Sequence, residues 1–420
     1  MRCGPDPRGF LLSMRSQEEL HMSARQRMAA SAFAAVSAMV LASLSASGIA
    51  HAQMVVGGGS KLAESTYGQL LPSGVGLTVF SYTGTGSGVG RTAFFDNDAT
   101  AFRNESLVAR PSWPSTQSVH FAVSDFALTA AEVSSYNVSH LAAWGRMIQV
   151  PAVAVPVLLP YKRLGIANLD LSDAKMCAVF SNKPGGQTWG QLRGTSDATT
   201  VRLVYRTDGS GTTEWLSRYL VAACPGWGFA VSGNFAAVVA GAVAGGIIPA
   251  QWVGVAGDSA MATSFGVDGR IGYMAPDAVF TGTSNALVAK VNGVLPVAAA
   301  IQAALGVQVP PGPGAPAAGN LLAWVPPYVK PTPAAGAGAI YPIFGTVQML
   351  LNQCYRDPWV QAKLQEFVAG FYGATAFDDG LIALPGSWRT AVTGTFLDSG
   401  NSLGIANVNV CNGIGRPLQN

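Results

Sequence analysis

Four short stretches concentrate the residue types that can hold an oxyanion: GGGSKL (57–62), TGTGSGVG (83–90), VSD (123–125) and RTDGSGTT (206–213). Each follows a strand-like or glycine-rich run and leads into a helical pattern. The first turn of a helix exposes N–H groups that lack intrahelical partners, at the positive end of the helix dipole. Such junctions bind anions with little formal charge. Glycines let the backbone approach a ligand closely. Ser87, Ser210 and Thr212 add hydroxyl donors, and Arg206 offers a bidentate fork to a tetrahedral oxyanion. Plainer uses exist for every one of these: helix capping by serine, a surface arginine, and Asp125 capping the helix that follows it. A rival motif is GVGRTA (88–93), which fits the G-x-G-x-x-A dinucleotide pattern after a strand. The chain contains no G-x-x-x-x-G-K-[ST], the signature of a nucleotide phosphate loop.

Composition narrows the partners. Of the 420 residues only 11% are charged, against about a quarter in ordinary soluble domains. Residues 22–52 place Arg25 and Arg27 before an Ala/Ser-rich apolar stretch that ends in Ala50-His51-Ala52, a small-x-small cleavage triplet. This reads as a secretory signal peptide cut after Ala52 rather than as a membrane anchor. Residues 1–21 fit no charged n-region and are read as lying upstream of the true start codon. Cleavage removes five basic and three acidic residues, so the formal charge falls from +3 to +1 in the mature chain. No nucleic-acid or membrane-surface field follows from that balance. Only His120 and His140 remain after cleavage, too far apart in sequence for a local zinc motif or a histidine-based triad. Neither a metal nor a cofactor is expected. Cys177, Cys224, Cys354 and Cys411 lack C-x-x-C spacing. In an exported chain they read as two disulfides; three pairings are possible, and the sequence-local choice is 177 with 224 and 354 with 411.

The elements that must position the anion ligands alternate. LTVFSY, VHFAVSD and VRLVYR each precede a turn and a helical pattern, which argues for βα units, a parallel sheet and an α/β fold. In the last unit Trp215, Leu216, Tyr219, Leu220 and Ala223 recur at helical spacing, so a helix with a buried face starts near Ser210 to Thr212, right beside Arg206. The proline-interrupted run IQVPAVAVPVLLPY (148–161) suits an extended segment crossing between lobes rather than a regular central strand, and GRIGYMAPD (269–277) suits the return. The division this implies is lobe 1 from 53–150 plus 275–420, and lobe 2 from 151–274. Within lobe 1, the Pro/Ala/Gly-rich stretch 293–340 reads as a long surface loop or insertion of low order. AAVVAGAVAGGIIPA (236–250) reads as buried core or crossing chain.

Taken in order, GGGSKL, GTGSGVGRTAFFDND, FAVSD, GRMIQVPAVAVPVLLPYK, YRTDGSGTTE, GRIGYMAPD and YPIFGTVQMLLNQCY resemble the phosphate-binding proteins of phosphate-specific ABC transporters, nearest to their DING branch. The resemblance runs from about Gly57 to Cys411, and Y-R-x-x-x-S-G-T-T-E is its most specific segment. It implies a two-lobed periplasmic-binding-protein fold (type II), joined by two crossing segments, with the ligand in the interlobe cleft. Carried over by position, the phosphate contacts are the Leu62 N–H, Ser87, Asp125, Arg206, Ser210, Gly211 and Thr212. The family's cysteine pairing agrees with the sequence-local one. Two departures stand out: MVVGGG replaces the DINGGG opening, and Lys61 stands where relatives carry a threonine contact, so it either turns outward or adds a cation to the site. An acid fits an anion site when the ligand brings a proton. Phosphate at neutral pH keeps one for Asp125 to accept, whereas sulfate has none and meets repulsion. The expected function is a non-enzymatic, exported, monomeric receptor of high affinity for inorganic phosphate, serving an ABC permease or scavenging outside the cell. The alternatives are a phosphate-ester hydrolase and a secreted interaction protein on the same fold.

Overall fold

The computed structural model describes residues 54–70, 80–102, 118–332, 338–377 and 380–418. The expected signal peptide and its cleavage site lie outside the described residues. Two sheets organise the rest. The larger has six strands in the order β12-β4-β11-β3-β1-β2: β1 (Val55–Gly59), β2 (Phe80–Thr83), β3 (Phe121–Ser124), β4 (Met147–Pro156), β11 (Phe344–Asn352) and β12 (Ile382–Ala383). The parallel part, β3-β1-β2, is built by the expected βα units, and β11 runs antiparallel between β3 and β4. The smaller sheet has the order β5-β9-β7-β8, made of β5 (Tyr161–Lys162), β7 (Arg202–Arg206), β8 (Val253–Val255) and β9 (Arg270–Gly272). A two-stranded pair joins β6 (Asp170–Leu171) to β10 (Lys290–Val291).

The glycine run in β1 follows from crowding. A side chain at Gly57 would sit 2.3 Å from the Phe121 ring, and Gly59 combines φ of 130° with the Val123 carbonyl 2.1 Å from where a Cβ would stand. Only glycine tolerates both the backbone angle and the approach.

Residues 148–161 correct one expectation. Met147–Pro156 is a fully buried strand of ten residues, paired on one side with β11 and on the other with β12. Proline is tolerated there because the register with β11 shifts between Val347 and Gln348, opposite Val153 and Pro151, so the missing N–H falls at an irregularity in the ladder. The passage to the smaller sheet is the continuation of this strand: the Val157 N–H still donates to Ile343, Leu158 pairs with Met274, and Tyr161 pairs with Ile271. The return at Tyr273–Ala275 therefore lies alongside the outward crossing, as expected from GRIGYMAPD.

The described part of 293–340, which leaves out 333–337, is a second correction. Ala298–Gly306 is a helix with Ala300, Ile301, Ala304 and Leu305 buried, and Trp324 is fully buried, its indole N–H donating to the Ala318 carbonyl at 3.0 Å. Apolar residues at helical spacing and one large aromatic anchor order this chain in spite of its proline and glycine content. Within 236–250, Val238 and Val239 are buried in the short Phe235–Val239 helix and Ala242 and Val243 just beyond it, whereas Ile247 faces solvent. That segment belongs to the core in its first half only.

Both disulfides form as read: Cys177–Cys224 ties the Asp173–Ser181 helix to the end of the Gly211–Ala223 helix, and Cys354–Cys411 anchors the C-terminal segment beside β11. The second closes a loop of 57 residues, which in the chain-entropy account is worth about 4 kcal/mol. Replacing Cys354 and Cys411 together by serine is expected to lower the unfolding free energy by about 3–4 kcal/mol, read as a lower urea midpoint with a steeper slope, because the freed unfolded chain exposes more surface.

Candidate functional site

The carboxyl ends of β1, β2, β3, β7 and β8 all open onto one cavity of about 910 Å³, the position ligands take in open α/β sheets. Past β1 the chain turns through Ser60, Lys61 and Leu62 before the Glu64–Leu70 helix. Past β2, Gly86 takes φ of 102° and starts the Ser87–Asp96 helix. Past β7, Arg206 is followed by Asp208 and by Ser210, whose side chain accepts from the Thr213 N–H and caps the Gly211–Ala223 helix. Past β8, Gly257 introduces the Asp258–Ser264 helix. All eight positions singled out in the sequence, Lys61, Leu62, Ser87, Asp125, Arg206, Ser210, Gly211 and Thr212, line this cavity.

Asp125 comes from the larger sheet and Gly211 from a helix of the smaller sheet, yet they touch. A Cβ on Gly211 would stand 2.7 Å from the Asp125 Cβ. Further along the same helix, Trp215 lies against β11 so closely that a Cβ on Gly345 would fall 2.1 Å from its ring. Two glycines thus let the helix seat its amino end against the other sheet.

Asp125 does not cap the next helix; Thr129 does, through a capping box with Glu132 at the start of Ala130–Ser139. Instead the Asp125 carboxylate accepts from Ser60 Oγ at 2.5 Å and from Ser87 Oγ at 2.9 Å, and the Asp125 N–H donates back to Ser87 Oγ at 2.9 Å. Burial pushes this carboxyl above the usual carboxylate range; the two serine hydroxyls oppose the shift, Asp258 adds to it and Arg206 opposes it. Ser87 is thereby committed to Asp125 as well as facing the cavity.

Arg206, buried to 8% exposure, is held on two sides. Asp208 accepts from Nε at 2.7 Å and from Nη2 at 2.5 Å, and Asp258 pairs with Nη1. The Arg206 N–H donates to the Tyr273 hydroxyl, which also bonds Thr213 Oγ1 at 2.7 Å. Burial works against the guanidinium charge, but the two carboxylates outweigh it and hold the Arg206 pKa above its ordinary value; the hydrogen bond from Arg206 draws Asp208 down to about 2. Ser60, Asp208, Asp258 and Tyr273 were not singled out in the sequence. Ser60 and Asp208 had a signal, since each sits inside a chosen motif. Asp258 had none, because it meets Arg206 through the parallel pairing of β7 with β8.

The dinucleotide reading of GVGRTA fails on position. Residues 88–93 lie inside the Ser87–Asp96 helix, and Gly90 serves close packing on β1, where a Cβ would meet Gly59 Cα at 2.5 Å. His120 is buried, its Nδ1 accepting from the Val56 N–H, and His140 stacks on Trp144; neither lines the cavity. Among the described residues no group of three or more His, Cys, Asp or Glu is placed to hold a metal, and no helix is long and apolar enough to cross a membrane. Lys61 is exposed at the cavity edge, and among the described residues no hydrogen bond or ion pair reaches its ammonium.

The raised pKa of Asp125 carries a sign. A carboxyl titrating higher folded than unfolded is fully compatible with folding below the ordinary value of about 3.9 and becomes a cost as pH rises through its folded pKa. In phosphate-free protein Asp125→Asn is therefore expected to melt higher than the parent at pH 7, with the difference shrinking as pH falls towards about 4. A thermal melt series in non-binding buffers reads this; a variant less stable at pH 7 would contradict the assignment.

The profile of the PBP superfamily domain matches residues 50–373. Alkaline phosphatase L of Pseudomonas aeruginosa is 37% identical over 392 residues, covering 90% of this chain and 99% of that one. A DING protein described as a high-affinity periplasmic phosphate-binding protein, solved bound with phosphate, superposes with a TM-score of 0.71 at 35% identity, over 87% of this chain and all of its own. The phosphate-binding protein from Stenotrophomonas maltophilia superposes at 0.70 with 31% identity, over the same share of each chain. The chain belongs to the PBP superfamily, with the two-lobed α/β fold of that group, and within it to the DING branch of the phosphate-binding proteins.

Proposed function

We propose that the cleft captures hydrogenated orthophosphate with high affinity. The observation that carries this reading is the meeting of Asp125 and Arg206 in one cavity, one group from each sheet, with the first residues of two helices lining it as well. The Ser87–Asp96 and Gly211–Ala223 helices offer N–H groups at the positive ends of their dipoles. The Thr212 hydroxyl adds a donor, Arg206 supplies the charge, and the Leu62 N–H lies at the near side. Lys61 is read as a further cation at the edge, in place of the neutral hydroxyl of the resembling family. Charge-assisted hydrogen bonds contribute roughly 1.5–3 kcal/mol each, so half of seven contacts covers the ~8 kcal/mol of micromolar binding after ordering costs.

Asp125 sets selectivity. Its carboxyl already accepts from two serines, and it retains lone pairs for a ligand proton. Hydrogen phosphate donates one; sulfate at neutral pH has none to donate.

The crossings are read as running at about 157–161 and 273–275, so residues 151–156, which the expected division gave to lobe 2, stay with the larger sheet as part of Met147–Pro156. Closure about those crossings would present a bound shape to a membrane permease. The two disulfides fit an oxidising compartment, and with the periplasmic relatives they support export, with cleavage after Ala52. The protein is read as a monomeric, non-enzymatic receptor that feeds an ABC importer or scavenges phosphate outside the cell. The name of the Pseudomonas relative supports a second reading, hydrolysis of phosphate esters at the same cleft. A phosphate site becomes a hydrolase only with a group placed to activate water, and neither His120 nor His140 faces the cavity.

Calorimetry with phosphate and sulfate tests the site. Arg206→Ala is expected to weaken phosphate binding by about 2 kcal/mol or more, roughly 30-fold. Asp125→Asn is expected to narrow the preference for phosphate over sulfate; unchanged affinities in both variants would remove these residues from the site. The hydrolase reading is checked separately with a chromogenic phosphate monoester, with and without added divalent metal: the receptor reading expects no turnover in either, and turnover abolished by Arg206→Ala would replace it.

A further inference from the structure

A guanidinium has five N–H donors in a rigid fork, and three of those of Arg206, one on each nitrogen, are already engaged by carboxylates. Asp208 takes the Nε and Nη2 side and also accepts from the Gly257 N–H at 3.1 Å. It sits two residues away on the same turn, so it is fixed by three bonds and by chain geometry. Asp258 is held differently. Its carboxylate meets Nη1 alone, no second hydrogen bond to it is found among the described residues, and its side chain is 45% exposed on the cavity wall. Lys61 and Arg206 are the cations that line this cavity, against Asp125, Asp208, Asp258 and Asp277. An oxyanion that seeks Arg206 therefore enters a site whose counter-charge is already supplied, and on the Nη1 side of the fork it competes with a carboxylate already there.

We propose that Asp258 is an internal competitor for the ligand: its single-point hold on Nη1 is given up to the arriving oxyanion, and the free energy of that exchange sets both affinity and selectivity. This deepens the reading of the cleft as a phosphate site and rests on it. Asp208 orients the fork and stays; Asp258 yields. The exchange also weighs against the wrong anions. A displaced carboxylate remains on the wall beside the ligand, where a P–OH group can donate to it and a bare sulfate oxygen is repelled. A resident acid thus lowers affinity for every anion, and most for those without a proton.

The test is calorimetric titration of inorganic phosphate and of sulfate into the mature chain and into Asp258→Asn, each at low and at physiological ionic strength. Removing the competing charge is expected to tighten phosphate binding roughly three- to tenfold and sulfate binding by more, with the larger gains at low salt where charges are least screened. Asp258→Glu keeps the charge and is expected to return both affinities towards the parent values. A carboxylate that merely positions Arg206 gives the opposite sign: phosphate binding weaker in Asp258→Asn, or unchanged, overturns the inference. Arg206→Ala separates the two levels. If the parent binds phosphate and Arg206→Ala loses it, a failure of Asp258→Asn to tighten counts against the competitor role alone. If the parent binds no phosphate, both readings fall.

Discussion

One close approach makes the rest possible. The amino end of the Gly211–Ala223 helix reaches Asp125 because position 211 has no Cβ, which would otherwise stand 2.7 Å from the aspartate's own. Trp215, one turn on, settles against Gly345 of the larger sheet for the same reason. A helix belonging to one sheet is thus docked on the other, its amino end against a residue whose carboxyl lines the same cavity. Any side chain at either glycine would push the helix off and separate the halves of the site.

Around that contact charge is arranged economically. In a chain with 11% charged residues, the cavity collects one buried arginine, three aspartates tied to it or to the serines beside it, and a lysine at the edge. Backbone dipoles and hydroxyls do what formal charge does elsewhere, and they cost less to desolvate than an isolated ion. The aspartates have distinct environments. Asp208 lies low in pKa against the guanidinium, and Asp125 is raised by burial while two hydroxyls hold it. Asp258 has one ion pair and open solvent. Groups of one chemical type are thereby given separate tasks by what surrounds them.

The scaffold behind the site accepts residues that sequence rules count against regular structure. Two prolines sit in the ten-residue strand Met147–Pro156 because one meets a register shift and the other ends the strand. A stretch rich in proline, alanine and glycine folds because Ile301, Leu305 and Trp324 are buried. In both cases tertiary burial outweighs a local preference, as it commonly does when propensities are worth tenths of a kcal/mol and a buried large side chain is worth about 1.5–3.

The residues that touch the cavity through their own turn were legible in the chain alone: Ser87, Asp125, Arg206 and Ser210 to Thr212 each stand at a strand-to-helix junction, and a junction's anion-binding character is a local property of unsatisfied N–H groups. The βα alternation and the helix start at Gly211 are local in the same sense, whereas the cysteine pairing was one of three the chain allowed, chosen by nearness in sequence and by the family resemblance. Position across the fold was not legible. Nothing near Asp258 in sequence points at Arg206, which it reaches only because β8 lies beside β7. Nothing in VSD says that Ser60, 65 residues earlier, will donate to Asp125. Nothing in IQVPAVAVPVLLPY shows that β11 offers an irregular register to Pro151. Composition and spacing determined which groups could bind an anion; only the folding of two sheets onto one helix decided which of those groups face each other, because that depends on steric fit between residues distant in the chain.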